Sequence, residues 1–303
     1  MKETVGRFAP SPTGRMHLGN VAAAMRSWLS ARARGGRWIL RIEDLDPGRS
    51  RRRWAEQIEA DLRWLGLDWD EGGLDGRGPN GPYVQSERGE IYAAHLERLR
   101  ELGVVYPCTC TRAEIMATQA PHASDGAIVY GGRCRPEGMP RRVPEPEGRH
   151  SLRLWVPDRD VCFTDRNFGP QRVNLARDCG DFILRRADGA WAYQLAVTVD
   201  DALMGVTEVV RGEDLLPSSA MQIYLYGLLG YPAPEFAHIP LLRNAAGQRL
   251  SKRDAALDLG ALRAAGETPD SIAARVLPPD LLADFRELRE ERGAKFCGVG
   301  DFS

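Results

Sequence analysis

Residues 7–20 read RFAPSPTGRMHLGN, and no other stretch constrains the fold as tightly. TVGRFAP is strand-like, Pro10, Pro12 and Gly14 describe a turn, and the chain then enters a helical segment, VAAAMRSWLSARARG. A strand that feeds a turn and then a helix start outlines an anion site. The first N–H groups of a helix lack intrahelical partners, and its dipole favours negative charge there. Thr13, Gly14, His17 and Gly19 surround that point: His17 can donate to a phosphate oxygen, and Gly19 allows close approach of a nucleotide. A plain strand-to-helix turn explains the same residues, so the turn alone does not decide its use.

The pattern continues in the same style. RWILRIEDLD reads as a second strand stopped by Pro47, and residues 50–66 read as a helix with Trp54, Ile58, Leu62 and Leu65 on one stripe. ERGEIYAAHLERLRELG is a further helix. The β-α-β-α order predicts an α/β fold with a doubly wound parallel sheet. Residues 107–150 break the pattern: they are rich in Pro, Gly, Arg and Cys, without a sustained period, and read as a loop-rich insertion. Strand and helix patterns resume at DFILRRADGAWAYQLAVTVDDAL and SSAMQIYLYGLLG, and the chain beyond residue 255 reads as helical. The expected partition is 1–106, first half of the main domain; 107–178, insertion; 179–242, second half; and 243–303, a basic loop and helical tail.

Lys plus Arg total 41 against 42 Asp plus Glu, a net charge of -1 that argues against a general nucleic-acid binder but leaves local basic patches open. No apolar run reaches the roughly 18 residues that a membrane helix needs. MKETVGRFAP has no apolar signal core. A cytoplasmic location is expected, where the six Cys are reduced or metal-bound rather than disulfide-paired.

Two further motifs carry chemistry. RLSKR, residues 249–253, follows NAAGQ, and Lys252 and Arg253 suit the charge on a transferred phosphate or leaving pyrophosphate. A solvated basic loop is the bland alternative. PCTCTR supplies Cys108 and Cys110, and YGGRC supplies Tyr130 and Cys134. Three thiolates and one more ligand complete a tetrahedral zinc site. On the residues alone, His122 or His150 is the usual fourth ligand, and three unligated thiols are the alternative to any site. Cys162, Cys179 and Cys297 have no evident partners.

Taken together, these motifs carry a resemblance. PSPTGRMHLGN (Pro10–Asn20) resembles the HIGH signature of class I aminoacyl-tRNA synthetases, and Arg249, Leu250, Ser251, Lys252 and Arg253 resemble the KMSKS signature, in the same order. RFAPSPTG, LRIEDLD, QSER, YQLAVTVDD and VVRGEDLL are similar to the glutamyl branch, and together they run over nearly the whole chain. Asn20 in place of the final His, and RL in place of KM, are its departures. The C-x-C…Y-x-x-x-C spacing further resembles the glutamyl-queuosine tRNA(Asp) synthetase family, a shortened paralogue of glutamyl-tRNA synthetase. That resemblance implies a class I Rossmann-like catalytic domain and one structural Zn²⁺ on Cys108, Cys110, Tyr130 and Cys134.

The implied chemistry agrees with residue types. Glutamate carries two carboxylates and one ammonium, which call for Arg and for a carboxylate respectively. Arg7 and Arg211 are the Arg candidates, Glu43 the ammonium partner, and Ser11 and Tyr193 add hydroxyls. A salt bridge to Arg41 is the bland reading of Glu43, and core packing that of Tyr193. By resemblance, Arg7, Phe8, Ala9, Pro10, Ser11, Glu43, Tyr193 and Arg211 bind glutamate. His17, Gly19, Asn20 and Lys252 bind ATP, with His17 and Lys252 catalytic and Mg²⁺ assisting. About 50 residues follow Arg253, too few for the helical anticodon-binding region of an ordinary glutamyl enzyme. The family's target is queuosine in the anticodon of tRNA(Asp), and a monomer is expected. A shortened enzyme charging the tRNA 3′ end and a non-catalytic tRNA-binding module are the alternatives.

Overall fold

The computed structural model describes residues 3–117, 129–242 and 258–296. The chain begins β1 (Val5–Phe8), α1 (Leu18–Arg32), β2 (Arg37–Leu40), α2 (Arg52–Leu65) and β3 (Glu71–Gly72). It continues α3 (Gly89–Glu101), β4 (Val105–Cys108), α4 (Arg112–Ala117), β5 (Ser151–Leu154), β6 (Asp160–Asp165), β7 (Gly169–Asn174) and β8 (Ile183–Arg185). It closes α5 (Tyr193–Leu203), β9 (Glu208–Gly212), α6 (Leu216–Leu229), β10 (Glu235–Ile239), α7 (Leu259–Ala264), α8 (Pro269–Val276) and α9 (Pro279–Phe296). Two compact units result: 1–87 with 205–214 and 234–303, and 88–204 with 215–233.

The first unit is the parallel α/β part. β1 pairs in parallel with β2 from Val5↔Arg37 to Phe8↔Leu40, and β2 with β3. On the other side of β1, the Thr207 N–H donates to the Val5 carbonyl at 2.9 Å, and β9 pairs in parallel with β10. Parallel neighbours need a crossover, and α1 supplies the one between β1 and β2. The helix over 50–66 starts two residues later than the pattern suggested and stops at Gly66, whose φ of 78° closes it. Its predicted stripe faces inward: Ile58, Leu62 and Leu65 are fully buried and Trp54 is half-buried. Apolar residues from α1, β2, α2 and the C-terminal helices share one core, with Trp28, Trp38 and Met25 fully buried.

The helical tail is part of that core. Phe285 of α9 meets Trp28 edge-on at 5.8 Å, and the Arg289 side chain lies where a Cβ on Gly66 would stand. Arg292 pairs with Asp68, whose carboxyl is drawn below its usual range against a burial penalty, by bonds from Arg292 and Trp28 and the charge of Arg32.

The second unit carries the antiparallel sheet β4-β5-β8, the β6–β7 hairpin and helices α3, α5 and α6. A buried ion pair, Arg88 to Asp200 at 2.6 Å, is completed by the Tyr92 hydroxyl donating to Asp200 at 2.9 Å. Beyond α4, the described residues between 129 and 150 hold no helix or strand, as their composition predicted. No described helix is long and apolar enough to cross a membrane.

Phe285 is fully buried, so truncation leaves a cavity against Trp28. Phe285→Ala is expected to lower unfolding free energy by about 3–5 kcal/mol in denaturant titration.

Candidate active site and metal centre

The candidate site residues of the first unit gather toward the carboxyl ends of its parallel strands, where open α/β sheets place their ligands. Arg7 is the third residue of β1 and Arg211 the fourth of β9, and both are buried. They are brought together: the Arg7 guanidinium donates to the carbonyl of Val210 at 3.4 Å. Glu43 lies just beyond β2, and its N–H donates to the Pro10 carbonyl at 3.0 Å, so it stands beside Ala9 and Ser11. Ser11 is exposed, and Phe8 is in the core stacked against Trp38. Tyr193 belongs to the second unit, where it opens helix α5 and is half-buried.

Glu43 also makes the ordinary contact that its position allows. Fully buried Arg41 donates to one Glu43 carboxylate oxygen at 3.1 Å. A carboxylate accepts at two oxygens in several directions, so this bond and an ammonium ligand are compatible.

The turn between β1 and α1 is more self-contained than a bare helix start. His17 is the N-cap: its Nδ1 accepts from the Gly19 N–H at 3.1 Å, while the Asn20 side-chain oxygen accepts from the His17 N–H at 3.2 Å. This reciprocal box satisfies donors that the sequence left open for a ligand. It also sets the tautomer. With Nδ1 accepting, a neutral His17 carries its proton on Nε2 and is a donor there. Gly19 is required by His17 itself, because a Cβ there would stand 2.9 Å from the imidazole ring. RLSKR, with Lys252, lies outside the described residues.

The candidate metal ligands are assembled in the second unit. β4 ends on Cys108, Cys110 follows two residues later, and Cys134 returns to them, so that the three sulfurs lie within 4.8 Å of one another. The Tyr130 hydroxyl completes the group: it is 3.4 Å from Cys108 Sγ and 3.7 Å from Cys110 Sγ, and Cys110 and Cys134 sulfurs are 3.5 Å apart. Bonds of about 2.3 Å to sulfur and about 2.0 Å to oxygen give tetrahedral edges of roughly 3.8 and 3.5 Å, so the four atoms fit one zinc ion. A disulfide needs its sulfurs at about 2.05 Å. His150 is engaged elsewhere, 2.7 Å from Glu145, and His122 lies outside the described residues.

Neighbours hold Tyr130 in place. The Cys134 N–H donates to its hydroxyl at 2.7 Å, and the Arg153 guanidinium lies 3.8 Å from the centre of its ring. Arg135, next to Cys134, pairs with Asp181, which also accepts from Tyr106 at 2.6 Å. The thiols differ in acidity. Burial raises Cys110 to about 11, aided by hydrogen bonds with Cys134 and Cys108 and opposed by one from Tyr130. Burial also acts to raise Cys134, but hydrogen bonds with the Thr109 backbone, Cys110, the Thr109 side chain and Tyr130 outweigh it and bring it to about 7. Burial and the bond from Cys108 hold the Tyr130 phenol well above its ordinary value. A bound divalent cation reverses that tendency by favouring the anions.

Comparison with known proteins decides the family. The family described as tRNA synthetases class I (E and Q), catalytic domain, matches residues 3–276. A curated protein of Symbiobacterium thermophilum named glutamyl-Q tRNA(Asp) synthetase is 54% identical over 274 residues, covering 88% of this chain and 83% of its own. One of the same name from Nitratidesulfovibrio vulgaris is 54% identical over 86% of this chain and 81% of its own. This chain belongs to the glutamyl-Q tRNA(Asp) synthetase family. Among solved structures, the glutamate tRNA ligase of Elizabethkingia meningosepticum in complex with its amino acid superposes with a TM-score of 0.80 at 32% identity. That match covers 95% of this chain and 64% of the ligase, so this chain spans less than two thirds of its length.

Sequence reasoning missed several residues of this glutamyl-Q family member. Arg153, Arg135 and Asp181, which brace Tyr130 and Cys134, come from β5, the loop and the approach to β8, and no local motif links them. His238, bonded to Arg211, reads only as one strand residue in EFAHI.

In metal-free protein, alkylation of Cys134 is expected to rise through a midpoint near its pKa of about 7 and that of Cys110 near about 11. Zinc should protect both, and Cys108, as followed by mass spectrometry. Equal reactivity with and without zinc would rule out a shared site.

Proposed function

We propose that this chain activates L-glutamate with ATP and transfers the glutamyl group to queuosine in the anticodon of tRNA(Asp), a reading supported by relatives named glutamyl-Q tRNA(Asp) synthetase. The observation that carries the amino-acid assignment is the pair of buried arginines, Arg7 on β1 bonded to the Val210 carbonyl next to Arg211 on β9, with Glu43 following β2 and bonded to the Pro10 carbonyl. Two buried guanidinium groups suit a dicarboxylate, and Glu43 suits its ammonium. The resemblance adds Phe8, Ala9, Pro10, Ser11 and Tyr193 to the glutamate-binding residues.

In the first step, a glutamate α-carboxylate oxygen attacks the α-phosphorus of ATP, and pyrophosphate leaves. The protein's task is to position the reactants and offset charge rather than to form covalent bonds. His17 presents its Nε2 proton to phosphate oxygen from the start of α1, the Gly19 N–H holds that imidazole at Nδ1 while Asn20 accepts from the His17 backbone N–H, and Lys252 neutralises the leaving group. Mg²⁺ on ATP supplies further charge neutralisation when bound. In the second step, a hydroxyl of the queuosine cyclopentenediol attacks the activated carbonyl and AMP departs.

Cys108, Cys110, Tyr130 and Cys134 hold one zinc ion, and its role is structural. The described residues 129–150, which carry Tyr130 and Cys134, hold no helix or strand, so the metal would tie that stretch to the end of β4. ATP and tRNA are cytoplasmic substrates, and one chain supplies every residue named, so a monomer suffices.

Transfer of labelled glutamate to two tRNA pools tests this reading. Labelling confined to the pool containing queuosine is expected. Equal labelling of a pool lacking queuosine would instead identify a shortened enzyme charging 3′ ends, and no labelling of either would indicate a binding module. Lys252→Ala should slow glutamate-dependent pyrophosphate exchange at least 100-fold, on the order of the effect of one transition-state charge contact, while glutamate affinity changes less than threefold.

A further inference from the structure

Arg211 and His238 face each other across the parallel pair β9–β10, at the register position Arg211↔His238. The Arg211 Nε–H donates to His238 Nε2 at 3.1 Å. Both residues are buried, His238 completely. The imidazole stacks on Phe236 at 6.1 Å and 12°, and the Arg211 guanidinium lies 5.3 Å from the centre of the same ring.

We infer that His238 is a positioning residue for amino-acid recognition, setting the plane of the Arg211 guanidinium through its bond at Nε. This rests on the reading of Arg211 as a carboxylate ligand. Nε belongs to the planar guanidinium, so a bond at Nε fixes the plane and with it the directions of both Nη groups. A bidentate carboxylate contact needs that plane defined. A neutral imidazole accepts the bond at Nε2 only with its proton on Nδ1, and contributes no charge. Phe236 restricts both side chains from one side, an apolar support for a polar contact.

The contact has a consequence for specificity. Recognition of a charged carboxylate over the neutral amide of glutamine draws on the Arg211 charge, and on its direction. A guanidinium left to rotate keeps the charge and loses the direction, so discrimination should fall together with affinity.

The test uses the full zinc-loaded chain. Glutamate-dependent pyrophosphate exchange in the wild type first establishes whether glutamate is the substrate; its absence overturns the functional reading and with it the role in amino-acid recognition, whereas exchange with the His238 contact refuted by the measurements below overturns the positioning role alone. His238→Phe keeps the shape and removes the acceptor, and His238→Gln restores an acceptor near the Nε2 position. The expected result for His238→Phe is a rise of tenfold or more in KM for glutamate, with KM for ATP within twofold, and His238→Gln within threefold of wild type. An unchanged glutamate KM in His238→Phe, or equal losses for glutamate and ATP in both variants, would overturn the proposal. If His238→Phe does not fold, nitrogen-15 NMR of wild-type histidines decides, with His238 assigned by its loss in His238→Gln. A proton on Nδ1 and a bare Nε2 support the role, and a proton on Nε2 refutes it.

Discussion

Three buried arginines, on β1, just after β2 and on β9, set the terms for the rest of the first unit. Arg7, Arg41 and Arg211 are each at most 5% exposed, and a buried guanidinium is tolerable only where acceptors surround it. Each finds one by sheet geometry: Arg7 the Val210 carbonyl, Arg41 the Glu43 carboxylate, Arg211 the His238 imidazole. Those acceptors come from strands that neighbour the arginines or extend past them. The register of β1 against β2 and of β9 against β10 therefore has to hold before the charges can be buried. Positive charge concentrated at strand ends contributes little to stability and suits the binding of an anionic substrate.

The second unit solves a different problem. Its described loop from 129 to 150 contains no regular element, and its composition of Pro, Gly and Arg offers little to bury. Order there comes from two devices. One is the cluster of three sulfurs and a phenol oxygen at the end of β4. The other is a brace of Arg153 on the Tyr130 ring and Arg135 on Asp181, tying that cluster to β5 and to the approach to β8. A metal ion would complete the first device, and the brace holds the ligands close enough to receive it.

Much of the fold was legible because periodicity and turn chemistry act locally. The stripe of Ile58, Leu62 and Leu65 and the stop at Gly66 mark α2, and the alternation of β1, α1, β2 and α2 implies a parallel sheet. The site was legible in part. The residue types at 7, 43 and 211 state what charges are needed, and PCTCTR with YGGRC states where thiolates cluster. The role of Gly19 was not legible: a glycine beside a phosphate-type turn suggests room for a ligand, whereas here the imidazole of His17 fills that room. The Nδ1 cap on the Gly19 N–H is a side-chain orientation, which spacing alone does not specify.

By itself, the sequence determined the class of fold, the family and the chemical kinds of the site residues, because each of these is written in short motifs and their order. Tertiary structure decided which groups share a contact. Arg211 and His238 are 27 positions apart and meet only because β9 and β10 pair in parallel at that register. Tyr130 and Arg153 meet only because the loop folds back over β5. Such contacts depend on long-range pairing, whose geometry is set by packing of the whole unit and leaves no periodic trace along the chain.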